Sequence, residues 1–210
     1  NSSDVYSSGI EAKFIEEAKN QGLEVVAEEA FTADSKTDFS TQLKKAQDGG
    51  AELVFLPIYY TEASIILTQA DQMGYQPKFF GCDGLDGLLA VKNFDTKLAE
   101  GVMLLTPFAA DATDDLTKKF VKEYKDKYDE VPNQFAADAY DVLYAMKAAA
   151  DDAGITPDMS NEDISAALSA SMLNITVNGL TGEAKWTEDG ECDKAPKAYV
   201  IKDGVYASME

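Results

Sequence analysis

Two short stretches carry side chains able to hold a charged small molecule. Pro57-Ile58-Tyr59-Tyr60-Thr61-Glu62 puts two aromatic rings, a hydroxyl and a carboxylate where a helical pattern begins. Gly81-Cys82-Asp83-Gly84 puts a carboxylate between glycines, directly after a short apolar run. An aromatic face beside a fixed carboxylate suits an ammonium group, through cation–π attraction and a charge-assisted hydrogen bond. A second reading stays open, in which the tyrosines pack on the adjacent helix and Asp83 caps a turn.

The residue types that are missing narrow the chemistry. The 210 residues contain no His and no Arg. Ser-His-Asp and Cys-His nucleophile systems are therefore excluded, as are His-based zinc sites. No guanidinium fork can grip a carboxylate or phosphate, so anions must be met by Lys, hydroxyls or helix N-termini. Thirty-eight acids against eighteen lysines give a net charge of −20, which repels nucleic-acid backbones and anionic membrane surfaces. Neither is expected as a partner.

Other candidates are weaker. Asp83 and Asp86 could work as an acid–base pair, but their Gly-Leu-Asp-Gly context reads as a turn. The acidic clusters Asp111–Asp115 and Glu188–Asp193 lack the spacing of an EF-hand loop and read as solvated loops. Ser7-Ser8-Gly9 resembles an anion-binding turn without the P-loop lysine. Trp186 reads as core. Cys82 and Cys192, 110 positions apart, are compatible with one disulfide or with two unrelated thiols. No enzyme activity, metal or cofactor is expected.

The elements that must position these residues follow from periodicity. Ile10, Phe14, Ile15 and Ala18 recur at helical spacing after Ser7-Ser8-Gly9 and stop at Gly22. Leu23–Ala27 reads as a short strand. A helix capped by Thr37-Asp38 runs to Gly49-Gly50, and Ala51–Tyr59 reads as a strand buried on both faces. Thr61 then caps a helix with Ile65, Ile66, Leu67 and Ala70 inward, ended by Gly74. Lys78–Gly81 and Gly101–Thr106 are further strands. The alternation predicts an α/β fold with a parallel, doubly wound sheet and helical crossovers. Its first element is a helix with no strand before it, although a crossover helix normally joins two parallel strands. A cut just after a strand is therefore expected at Asn1.

Past Pro107 the pattern changes to helices at 114–128, 133–153 and 161–171. The second of these carries Phe135, Ala139, Val142, Leu143 and Met146. Short strands joined by Asp189-Gly190 and Asp203-Gly204 turns follow Thr176.

In this order the chain resembles the leucine/isoleucine/valine-binding family of ABC-importer substrate-binding proteins. The resemblance rests on Asp4-Val5-Tyr6-Ser7-Ser8-Gly9, Thr37-Asp38-Phe39-Ser40, Pro57 to Glu62 and Phe79-Phe80-Gly81-Cys82-Asp83-Gly84. It continues through Pro132-Asn133-Gln134-Phe135-Ala136 and Gly179-Leu180-Thr181-Gly182. It implies the type I periplasmic-binding fold, with a ligand clamped between two lobes joined by three crossing segments. Residues 1–106 and 198–210 would form lobe two, and 107–197 a helical part returning to lobe one, whose N-terminal core is absent. An extracytoplasmic protein is implied, delivering an amino-acid-like ligand to a membrane permease; the alternative is a sensing ectodomain of the same fold.

The resemblance also assigns residues. Tyr59 would touch the ligand and Asp83 would hold its α-ammonium group. Tyr6 would stand at the cleft entrance and Phe135 would reach in from the other lobe, with Tyr60 and Glu62 beside Tyr59. Asp83 is shorter than the glutamate of some relatives, so the ligand would sit deeper or bridge through water. Without its sheet, the returning part would expose an apolar face and self-associate or rearrange.

Overall fold

Asp4 starts the first helix, α1 (Val5–Asn20). Its carboxylate accepts hydrogen bonds from the Tyr6 backbone N–H and the Ser7 hydroxyl, satisfying orphan donors of the first turn. In the computed structural model, which describes residues 1–209, Ser7-Ser8-Gly9 thus lies inside α1 and not before it. The anion-binding turn considered for these residues is not formed.

The chain divides into two compact units. The first holds Asn1–Thr106 and the C-terminal hairpin from Ala198 onward; the second is Pro107–Lys197. In the first unit, α2 (Ser40–Asp48), β1 (Leu53–Leu56), α3 (Tyr60–Gln72), β2 (Lys78–Gly81) and β3 (Met103–Thr106) follow in sequence. Strands β1, β2 and β3 run parallel, as the helical crossovers require. Between β2 and β3 the crossover is built from short 3-10 turns and not an α-helix.

One expected strand is missing. Leu23–Ala27 forms no strand, although its residue types favour one. A strand exists only through its ladder partner, and among the described residues none pairs with this segment. The expected Ala51–Tyr59 strand is also shorter, because Ile58 turns and Tyr59 becomes the N-cap of α3. Phe39, Leu85, Leu88 and Leu104 are fully buried in the first unit, and Phe14 stacks on Phe55 with ring centroids 4.1 Å apart.

The second unit carries α4 (Asp115–Tyr128), α5 (Gln134–Ala153) and α6 (Asn161–Met172), close to the expected spans. Asp114 caps α4 by accepting from Thr117 N–H, which gives one of the loop acids a structural task. Three strands follow: β4 (Val177–Gly179), β5 (Gly182–Trp186) and β6 (Cys192–Asp193), paired antiparallel. Phe108, Val121, Ala137 and Leu180 form this unit's buried cluster. Helix α5 buries Ala137, Asp141, Ala145 and Ala149, whereas Val142, Leu143 and Met146 stay exposed. The apolar stripe read from the sequence therefore faces away from this unit's core.

The hairpin of β7 (Lys197–Lys202) and β8 (Val205–Ser208) completes the first unit's sheet in the order β1-β2-β3-β7-β8. Asp203 and Gly204 both take positive φ at its two-residue turn. The sheet is thus mixed, three parallel strands with an antiparallel hairpin. Cys82 and Cys192 are free thiols in different units, so the disulfide alternative falls away. Trp186 is half-buried and not core. Among the described residues no helix is long and apolar enough to cross a membrane.

Candidate functional site

The C-terminal end of β2, the N-terminal end of α3 and the first turn of α1 bring three sequence-predicted residues together. Asp83 follows β2 and opens a 3-10 turn, Asp83–Leu85. The Tyr6 hydroxyl donates to Asp83 Oδ1 at 2.6 Å and accepts from the Gly84 N–H at 3.0 Å. Tyr59 stacks on Tyr6 with centroids 5.1 Å apart and planes 30° apart. Such a pair contributes about 0.5–1.5 kcal/mol beyond its buried area.

Local sequence explains the closeness. A Cβ on Gly84 would lie 2.5 Å from Ile58 O and 2.9 Å from the Tyr6 hydroxyl, so a side chain here would push Tyr6 off Asp83. Glycine at 84 lets the β2 tip approach the β1 tip and α1 at once.

The electrostatics favour a cation. Burial pushes the Tyr6 phenol well above its ordinary range, and the hydrogen bond to Asp83 adds to this, so it stays a neutral donor. Burial also raises the Tyr59 hydroxyl, with the negative fields of Asp4 and then Asp83 in the same direction. The Cys82 thiol is pushed up to about 11, by burial and then by Asp83, and remains protonated at neutral pH. The cluster therefore combines aromatic faces with carboxylate charge. It can hold an ammonium group; with neutral thiol and phenols it has no activated nucleophile.

The other expected site residues lie on α3 and α5. Tyr60 is the half-buried first residue of α3. Glu62 is buried in the same turn, but its carboxylate pairs with Lys36 Nζ at 3.3 Å. Phe135 belongs to the second unit, in the first turn of α5, with 38% exposure. Asp86 is buried next to Tyr206, whose hydroxyl accepts from Gly87 N–H at 3.2 Å. Asp86 is thus part of the loop's packing. Neither Asp4 as cap nor Tyr206 as loop anchor was read from the sequence. Asp4 had a signal, an acid three residues before Ser7; Tyr206 had none, being 119 positions from Gly87.

The Gly179-Leu180-Thr181-Gly182 stretch proves structural. Buried Asp141 accepts from Leu180 N–H, Thr181 N–H and the Thr181 hydroxyl at 2.7–2.8 Å. Among the described residues, no group of three or more acidic or cysteine side chains is arranged to hold a metal ion.

Residues 1–204 match the family described as periplasmic binding protein. This chain belongs to that family. As a periplasmic binding protein it is similar to a leucine-, isoleucine-, valine-, threonine- and alanine-binding protein of Pseudomonas aeruginosa, 25% identical over 186 residues. That match covers 89% of this chain and 47% of the relative.

Two solved structures show the same likeness. The branched-chain amino acid transporter substrate-binding protein LivJ of Streptococcus pneumoniae, in complex with isoleucine, is 27% identical with a TM-score of 0.81. It is matched over 99% of this chain and 57% of its own. The leucine-binding protein LivK of Thermotoga maritima is 26% identical with a TM-score of 0.79, over 98% of this chain and 56% of its own. An extracellular ligand-binding receptor of Rhodopseudomonas palustris shares the fold, with a TM-score of 0.85 at 21% identity, over 99% of this chain and 61% of its own. This periplasmic binding protein chain spans about half the length of the relatives it matches. Its fold is the α/β, type I periplasmic-binding fold.

Proposed function

We propose that this chain supplies the ammonium-side wall of the ligand cleft in an extracytoplasmic solute-binding protein that captures a branched-chain or similar amino acid for an ABC importer. The observation that carries the reading is the Tyr6–Asp83–Tyr59 cluster. Asp83 takes the ligand's ammonium group, held in one orientation by the Tyr6 hydroxyl, while Tyr59 lays an aromatic face against the same charge. Phe135, Tyr60 and Glu62 complete the wall in this reading. Unit one acts as lobe two, and Pro107–Lys197 as the part of lobe one that returns after the crossing at Pro107. The protein binds and releases without bond chemistry and passes its ligand to a membrane permease.

Calorimetric titration of the full-length protein with amino acids tests this. Leucine, isoleucine or valine should bind, and the des-amino acid of the same side chain should not. Asp83→Ala should lower affinity by about 2–5 kcal/mol, because it removes one partner of a buried charge pair. Unchanged affinity in Asp83→Ala would remove Asp83 from the site; equal binding of the des-amino acid would end the ammonium reading.

A sensing ectodomain is the second reading, favoured by the shared fold with structures named as extracellular ligand-binding receptors. A membrane-spanning helix encoded downstream would select it.

A further inference from the structure

The loop that carries Asp83 contains two Asp-Gly pairs, Asp83-Gly84 and Asp86-Gly87. An aspartate before glycine is chemically labile, because glycine has no Cβ to shield its backbone nitrogen from the preceding carboxyl. The fold requires glycine at both places. A Cβ on Gly84 would lie 2.5 Å from the Ile58 carbonyl oxygen, and Gly87 has a φ of 108°.

The reaction open to such a pair needs only water. The Gly84 nitrogen bonds to Asp83 Cγ, whose carboxyl has taken a proton from solvent. The carboxyl hydroxyl leaves with the amide proton as water, closing a succinimide ring. A second water opens the ring at either carbonyl, restoring aspartate or leaving isoaspartate. In isoaspartate the main chain runs through Cβ and Cγ, and the free carboxylate is displaced.

In the folded chain one atom engages both reacting groups. The Tyr6 hydroxyl donates to Asp83 Oδ1 at 2.6 Å and accepts from the Gly84 N–H at 3.0 Å. Ring closure must turn the carboxyl carbon toward that nitrogen, which both bonds oppose. The turn adds resistance, with Leu85 N–H donating to Cys82 O at 3.0 Å and Asp86 N–H to Asp83 O at 2.9 Å. The second pair has a similar arrangement. Asp86 is buried, and the Gly87 N–H donates to the Tyr206 hydroxyl at 3.2 Å. Asp203-Gly204, in the exposed hairpin turn, lies away from the candidate site.

We propose that Asp83-Gly84 is a succinimide- and isoaspartate-forming site, held dormant by the Tyr6 hydroxyl bound to both of its reacting groups. Tyr6 is thus a guard of the carboxylate as well as its orienting donor. The functional consequence rests on the proposed role of Asp83: isomerisation moves the carboxylate away from Tyr6 and Tyr59 and ends ammonium capture.

Ageing of the ligand-free full-length protein at mildly acidic pH tests this, in buffer and in urea. Isoaspartate at each position is read by peptide mapping with electron-transfer fragmentation. The native chain should form it at Asp83 at least tenfold more slowly than the chain in urea. In Tyr6→Phe that protection should fall at least fivefold at Asp83, while Asp86 keeps its own. Equal rates at Asp83 in buffer and urea would overturn the proposal. So would unchanged or slower isomerisation in Tyr6→Phe, which would make the hydroxyl idle or a proton relay for ring closure. Equal loss of protection at Asp83 and Asp86 would also overturn it, by tracing protection to the fold as a whole. The readout is covalent and independent of ligand, so Asp83 can fail as an ammonium site while the guard stands.

Discussion

The Tyr6 hydroxyl uses both of its hydrogen-bonding capacities, donating to Asp83 and accepting from Gly84. Tyr6→Phe removes both at once, leaving a buried N–H unpaired and Asp83 without its orienting donor, which should cost about 1–3 kcal/mol of stability. The alkaline limb is more specific. Burial, and then the hydrogen bond to Asp83, hold the folded-state phenol above its ordinary value of 10.0. Below that value both folded and unfolded states keep the proton, so pH has no effect through this group. Above it the unfolded chain releases the proton first, and stability falls as pH rises. Urea midpoints measured at pH 8.5 and 10.5 should therefore drop for the native chain and drop less for Tyr6→Phe. Equal drops would show that the phenol titrates normally. Tyr206, raised first by burial and then by Asp86, acts in the same direction and accounts for part of the remainder.

Two tertiary fastenings hold the elements that carry recognisable motifs. Strand β8 sends Tyr206 to accept from Gly87 N–H, anchoring the loop that begins with Asp83. Tyr206→Phe should speed hydrogen exchange of Gly87 at least tenfold, while α5, in the other unit, keeps its exchange rates; unchanged exchange at Gly87 would deny the anchor. In the second unit, α5 sends Asp141 to accept three hydrogen bonds from Leu180 and Thr181. Asp141→Ala should destabilise by about 2–5 kcal/mol in chemical denaturation, since several buried donors lose their acceptor. Asp141→Asn, which keeps one acceptor oxygen, should lose less. Gly179 belongs to the same fastening, because a Cβ there would lie 2.3 Å from the Asp141 carboxylate. These contacts explain why only part of each motif was legible. Glycines and an acid mark the stretches, but the partner lies 39 or more residues away and no local period points to it.

At the scale of the whole molecule, charge and apolar surface oppose each other. The net charge of −20 disfavours contact between copies. Helical ion pairs such as Lys119–Glu123 and Lys122–Asp126 are exposed and solvent-screened, so they do not offset that repulsion. Against it stands the exposed stripe of α5, with Val142 at 57% and Leu143 at 69%. Sedimentation velocity of the 210-residue chain should show association that strengthens with salt, because screening removes the repulsion and leaves the stripe. Val142→Ser with Leu143→Ser should abolish it. A monomer at every concentration and salt level would refute that expectation.

The sequence by itself determined the helices and their stops. Gly22, Gly74 and Gly154 lie at or just beyond helix ends with positive φ, and α3 to α6 lie close to where their apolar spacing put them. A helix closes its hydrogen bonds within four residues, so local spacing contains the information. It also fixed Lys78–Gly81 as a strand, and it placed Tyr59 and Asp83 at neighbouring tips. Tertiary structure alone decided that Tyr6 joins them across 77 positions, that Glu62 pairs with Lys36, and that Leu23–Ala27 forms no strand. A strand or a polar cluster is completed by partners distant in the chain. Residue type alone cannot say whether those partners arrive.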